Sequence, residues 1–191
     1  MSKYKDRFIE ICRDKITRNG IDGLLDWVES TDFYIAPAST RFHYSIKEGL
    51  VRHSLNVYDI LSTQKYVDNV MESEESVAIV ALFHDICKSG FYKESTRNVK
   101  NEKTGEWSRV PFYQVDDLYP YGHGEKSVFL IERHLRLNTN EAIAIRWHMG
   151  GFDDAAKNGG YTVSAAYEKY PLATKLHLAD LEATYLLERD T

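Results

Sequence analysis

Residues 77–90 read VAIVALFHDICKSG. Eight of the ten residues from Val77 to Ile86 are apolar, and a helix that is apolar on nearly all sides belongs inside a core. Ser73, followed by Glu75 and Ser76, supplies an N-cap for that helix, and Gly90 fits its C-terminal cap. His84, Asp85 and Lys88 are therefore placed at the end of the greasiest run in the chain. A buried carboxylate without a partner is so costly that it protonates or finds a cation. Two cations are open to Asp85: Lys88 at i+3, which would make a structural ion pair, or a metal ion.

Working outward, 191 residues are enough for one domain that buries a core without disulfides or a structural metal. With 43% hydrophobic and 28% charged residues the composition is that of a folding chain, too apolar for a disordered one. A net charge of -5 argues against a basic coat for nucleic acid or a polybasic membrane surface. Cys12 and Cys87 have no CxxC partner, which suits a reducing compartment. No stretch approaches the roughly 18 apolar residues of a membrane span, and the charge-alternating N-terminus has no signal-peptide core. The expectation is a cytoplasmic protein without a membrane partner.

The helical period is legible along most of the chain. Tyr4, Phe8, Ile11 and Cys12 form a stripe over residues 3–18, with Gly20 as a stop. A short second helix is expected over 21–30, then a loop through Pro37, then a helix from Ile46 to about Val67 that carries His53. The segment carrying VAIVALFHDICK is read as one helix. Residues 95–115 break the helical period, with β-formers flanking Glu102–Gly105, and predict an inserted β-hairpin. A helix follows Tyr121-Gly-His-Gly124, another is capped by Thr139 and runs through Trp147 and His148, and a Gly-rich polar loop comes next. Residues 164–170 suggest a helical turn or two, and Pro171 suits the first position of a last helix bearing His177 and Asp180. The fold class is all-α with one inserted hairpin: N-terminal helices over 1–41, a core over 42–187 and the hairpin at 95–115.

A His-Asp dipeptide alone carries little weight in a chain with seven histidines. The other helices change that. Each one after the second places a metal-capable residue near an apolar face or a helix end: His53, His84 with Asp85, His123, His148 and Asp180. They are spaced by 31, 38, 25 and 32 residues, about one helix and its connection each. Ligands converging from several helices are how bundle cores build metal sites, and imidazole with carboxylate suits first-row transition metals such as Fe, Mn, Zn, Ni or Co better than magnesium. With four imidazoles, two ions bridged by Asp85 make chemical sense.

The order H…HD…H…H…D, as His53, His84-Asp85, His123, His148 and Asp180, resembles the HD superfamily of metal-dependent phosphohydrolases, over about residues 42–187. GLVRHSLNVYD around His53 is similar to that family's Gly-Leu-x-x-His-Ser/Thr segment. HDICK is close to its frequent His-Asp-Ile-Gly-Lys, and LHLADLEA looks like the Ala-Asp of its final core helix. The two extra histidines resemble its two-metal branch, which holds cyclic-nucleotide and cyclic-dinucleotide phosphodiesterases and a 3′-to-5′ exoribonuclease group. The resemblance implies an HD-type helical bundle in which His53, His84, Asp85 and Asp180 hold one ion and Asp85 bridges to a second on His123 and His148. Monophosphatase relatives carry an acidic residue where Lys88 stands, which puts a phosphodiesterase ahead of a monophosphatase. MGGFDDAAKNGGYT lacks the Gly-Tyr-Pro of the cyclic di-GMP enzymes.

On this reading a water held between two ions loses its proton near neutral pH, and the ions neutralise charge on a phosphoryl oxygen. Asp85 orients the hydroxide, and Lys88 presents its ammonium to the phosphate instead of neutralising Asp85. Substrate contacts are also expected from His43, Arg97 and Arg109; from Lys88 to Arg109 six basic residues face three acidic ones. The implied partners are a nucleotide, another phosphate-containing small molecule or a short single-stranded nucleic acid. His134 and His177 read as structural or exposed, and Cys87 as a packing residue. Two alternatives stay open: mixed-valent di-iron oxygenases resemble the same six-residue pattern, and a catalytically silent nucleotide-binding module would keep the ligands without the chemistry.

Overall fold

A computed structural model describes residues 2–64 and 70–189. Helices α1 (Lys3–Lys15), α2 (Ile21–Glu29), α3 (Gly49–Thr63) and α4 (Glu74–Phe83) precede a two-stranded antiparallel hairpin, β1 (Tyr92–Lys100) and β2 (Trp107–Val115). Then come α5 (His123–Glu132), α6 (Thr139–Trp147), α7 (Asp154–Lys157), α8 (Thr162–Lys169) and α9 (Pro171–Glu182). The last helix widens into a π-turn at Ala183–Leu187. The all-helical layout with one inserted hairpin follows the sequence reading, and no helix among the described residues is long and apolar enough to cross a membrane.

α4 is the centre of the packing. Ala78, Ile79, Val80, Ala81, Leu82 and Phe83 are all fully buried, so every face of this helix meets a neighbour: α3 on one side, α1 and α6 on others. That is the consequence of the missing polar face. Phe8 of α1 anchors an aromatic cluster, with ring centroids 5.2 Å from Phe33 and 5.4 Å from Phe83. α9 packs against α3 and α6, and α5 against α6. Three helix ends and two helix interiors thereby surround one point.

The boundaries differ from expectation where turn chemistry intervenes. α3 starts at Gly49 instead of Ile46, because Glu48 adopts a left-handed conformation (φ 64°) and the preceding loop folds back tightly. A Cβ at Gly49 would lie 2.1 Å from the Tyr44 carbonyl oxygen, so this position requires glycine. The helix also ends short of the expected Val67: Gln64 is already its extended C-cap (φ -70°, ψ 135°), and residues 65–69 lie outside the described residues. The cap of α6 is Asn138, not Thr139: its side chain accepts from the Glu141 amide while Glu141 reaches back to the Asn138 amide. The polar stretch after His148 is not an open loop. Gly150–Phe152 form a 3-10 turn, and Asp153 caps α7 while pairing with Arg146 at 2.8 Å.

The hairpin begins at Tyr92, three residues earlier than expected, with Tyr92 opposite Val115 and Lys100 opposite Trp107. Its turn spans Glu102–Gly105, and Gly105 supplies the positive φ of 75°. The base is fixed by Asp116 N–H donating to the Phe91 carbonyl at 2.9 Å and by the Lys126–Asp117 ion pair at 2.5 Å.

Glu141 ties three elements together. Its carboxylate is fully buried and receives Arg18 at 2.6 and 2.9 Å and the Ser76 hydroxyl at 2.7 Å. Removing one partner of a buried ion pair leaves an uncompensated charge. Arg18→Ala is therefore expected to lower the unfolding free energy by about 3 kcal/mol, read as a lower urea midpoint at unchanged slope. A loss below about 1 kcal/mol would mean that Ser76 and the helix N-terminus suffice for Glu141.

Candidate metal centre

The elements deliver the side chains in two ways. His53 and Asp180 project from within α3 and α9, whereas His84, Asp85, His123 and His148 stand at helix ends. α4 does not continue through HDICK as expected. It stops at Phe83, His84 is its C-cap, and Asp85 takes the sparsely populated bridge conformation (φ -102°, ψ 15°) before a 3-10 turn at Ile86–Lys88. His123 opens α5, and Gly124 behind it lets α5 touch α6: a Cβ there would lie 2.1 Å from the Arg146 carbonyl oxygen. That close approach sets the His123 and His148 rings 5.1 Å apart.

All six expected residues meet. His53 Nε2 lies 3.2 Å from Asp180 Oδ1, 3.6 Å from Asp85 Oδ2 and 3.2 Å from His84 Nε2. His123 Nε2 lies 2.7 Å and His148 Nε2 3.5 Å from Asp85 Oδ1. Four overlapping groups have candidate ligand atoms within 4.8 Å of one another: His53 with His84 and Asp85, His84 with His148 and Asp180, Asp85 with His123 and His148, and, behind these, His43 with His53 and Glu188.

The tautomers follow from the other ring nitrogens. His84 Nδ1 donates to the Ala81 carbonyl at 2.9 Å, and His148 Nδ1 to the Ile145 carbonyl at 2.6 Å. His53 Nδ1 donates to Glu188 at 3.1 Å. In the neutral rings each Nε2 then carries a lone pair turned toward the cluster. The His53 and His84 lone pairs face each other, and His148 Nε2 is buried with no hydrogen-bond partner among the described residues. A proton on His53 answers one of these demands. A cation answers all of them, and the donor set of imidazole and carboxylate suits a transition metal. This buried His/Asp cluster can hold a metal ion.

The electrostatics agree. Burial opposes charge on His53, but Asp180 and Glu188 outweigh it and push its pKa up to about 10. At His84, equally buried, desolvation outweighs the pull of Asp85 and Asp180, and its pKa is pushed down to about 3. Burial alone would raise the Asp85 pKa, yet Lys88, His84 and His123 hold it well below the usual carboxylate range. Asp85 thus stays ionised at the focus of the cluster.

Other expected site residues divide. Lys88 Nζ lies 2.6 Å from Asp85 Oδ2, so the ion pair that the phosphate role was expected to replace is present, although Lys88 also lines the cavity described below. His43 adjoins the site: its ring lies tilted against His53, centroids 4.9 Å apart, and both its nitrogens are buried without a hydrogen-bond partner among the described residues. Arg97 and Arg109 do not reach it. Arg97 lies over the Phe112 ring and Arg109 Nε donates to Thr96 Oγ1 at 2.6 Å, both out on the hairpin.

Three residues gain roles that their sequence context hid. Cys87 Sγ contacts His123 Nδ1 at 3.4 Å. His177 lines the cavity and donates from Nδ1 to the His148 carbonyl at 2.5 Å. Glu188, to which the sequence assigned no role, is buried against His53.

The cluster opens into a cavity of about 950 Å³ whose wall includes Asp85, Lys88, His123 and Asp180. Phe42, Phe152 and Tyr185 stand on the same wall and are 70%, 51% and 56% exposed. Lys157 and Arg189 add positive charge. No family model matches the chain, and neither a curated protein nor a solved structure matches it.

A ligand that binds the folded chain alone stabilises it by mass action. Adding Mn²⁺ or Zn²⁺ to metal-stripped protein at 100 times its Kd is expected to raise the unfolding free energy by about 2.7 kcal/mol, followed by calorimetry. His148→Ala should weaken the uptake. An unchanged melting curve at saturating metal would count against the cluster as a metal site.

Proposed function

We propose that the chain is a metal-dependent phosphohydrolase of the HD type, acting on phosphodiesters of nucleotides, cyclic nucleotides or short nucleic acids. The observation that carries this reading is the sharing of Asp85 between two His/Asp groups, His53 with His84 and His123 with His148, on the wall of an open cavity. His53, His84, Asp85, His123 and His148 would hold divalent ions there, which when bound would lower the pKa of a water and neutralise charge on a phosphoryl group. Asp85, with one oxygen toward His123 and the other toward His53 and Lys88, is the residue placed to serve both groups. Lys88, on the same wall, contributes an ammonium within reach of an anion bound there. The cavity is much larger than a phosphate group, and its exposed rings offer faces on which bases stack. That combination favours an esterified nucleotide over a bare monophosphate.

The test is metal-replete protein screened against simple mono- and diesters, linear and cyclic nucleotides, and short RNA and DNA. Diester hydrolysis should appear and vanish on chelation. Asp85→Ala should abolish both activity and metal retention, and Lys88→Ala should lower kcat roughly 10²-fold. Activity indifferent to chelation would refute the reading. Oxygen consumption by iron-loaded protein, with no ester cleaved, would replace it with oxygenase chemistry.

A further inference from the structure

Three of the clustered histidines present Nε2 to the site with Nδ1 held from behind, but they are held differently. His84 and His148 are helix C-caps, and each donates Nδ1 to the carbonyl three residues earlier, at 2.9 and 2.6 Å. The last carbonyls of a helix have no ladder partner, so these two rings are oriented by their own helix ends. His53 is inside α3, where the carbonyls one turn back are consumed by the helix ladder. It needs an acceptor from elsewhere.

That acceptor is Glu188, 135 residues further along the chain, whose Oε1 and Oε2 lie 3.2 and 3.1 Å from His53 Nδ1. The carboxylate is 1% exposed. It is held in turn by Asn56 Nδ2, which donates to Oε1 at 2.8 Å from the next turn of α3. In a continuous α-helix residue 188 would lie about 80° around the axis from residue 180. The π-turn absorbs this offset: Glu188 N–H closes it by donating to the Ala183 carbonyl at 3.0 Å. Asp180 and Glu188 consequently address the two nitrogens of one imidazole, Nε2 and Nδ1.

We infer that Glu188 is a positioning residue of the metal centre, fixing the tautomer and orientation of His53 so that ligation through Nε2 depends on the C-terminal π-turn. This rests on the metal-centre reading above. A carboxylate behind a ligating imidazole also makes it a more basic ligand than a carbonyl does, so His53 is the histidine whose ligand strength is set by a separate element. By thermodynamic reciprocity, metal on His53 favours the docked turn as much as the docked turn favours metal.

The experiment titrates Co²⁺ into metal-stripped protein while following its visible absorption, with thermal unfolding of each metal-free variant in parallel. Glu188→Ala should weaken Co²⁺ binding roughly 10- to 100-fold and alter the absorption bands. Glu188→Gln, which keeps the shape and an acceptor oxygen, should lose less. In a His53→Ala background, where Asp85, His123 and His148 remain to bind the ion, Glu188→Ala should change affinity no further. Equal losses in both backgrounds, or undiminished affinity in Glu188→Ala, would overturn the inference while leaving the metal centre intact. Failure of the unmutated protein to take up Co²⁺ would overturn the metal centre itself, and the role of Glu188 with it.

Discussion

The structure turns on one constraint: an ionised carboxylate, Asp85, stands at the end of a helix buried on every side. Burial makes that charge expensive unless cations or hydrogen-bond donors surround it. The protein meets the demand by bringing other helices to the same point. Lys88 and His123 lie within 2.7 Å of the carboxylate, and His53 and His148 within 3.6 Å. α4 could not be the centre of the core if its run from Val77 to Phe83 carried polar residues. It could not lead into Asp85 if α3, α5, α6 and α9 did not meet there. The apolar run and the polar cluster are two parts of one arrangement.

Much of this was legible in the sequence because the informative residues sit where local rules are strong. Ser73 and Pro171 mark helix ends by their backbone chemistry, and the six His and Asp residues recur at intervals of about one helix; Gly90, expected to cap α4, instead follows the 3-10 turn, because α4 already stops at Phe83 with His84 as its C-cap. What escaped was set by partners distant in the chain. Glu188 looks like an ordinary solvated acid next to Arg189, and only the π-turn carries it back to the His53 side. No hydropathy period reports such a turn. His177 likewise reads as one more polar position on α9, and its place follows from the Tyr167 and His148 contacts behind it.

The hairpin shows the limit of reading charge without position. Its excess of Lys and Arg suggested contact with phosphate, and Arg97 and Arg109 were the natural choices. Strand pairing fixes which residues share a face, but the direction of the hairpin relative to the helices is fixed by its base, through Phe91, Asp117 and Lys126. Those anchors leave both arginines away from the cavity. The positive charge that does line it comes from Lys88, Lys157 and Arg189, on three separate segments with no common motif.

The two classes of site histidine imply different kinds of rigidity. Rings at helix ends, His84 and His148, are held by carbonyls that every helix terminus leaves unpaired, so their orientation survives as long as the helix does. His53 and Asp180, inside α3 and α9, are placed by the packing of those helices against each other. Small changes in that packing would move two ligands without touching either side chain. Leu50, Leu55, Leu172 and Leu176, all buried and on the same two helices, therefore bear on the site as much as on stability. A cavity opened among them would reach the metal ligands through helix displacement, since tightly packed interiors transmit strain instead of absorbing it.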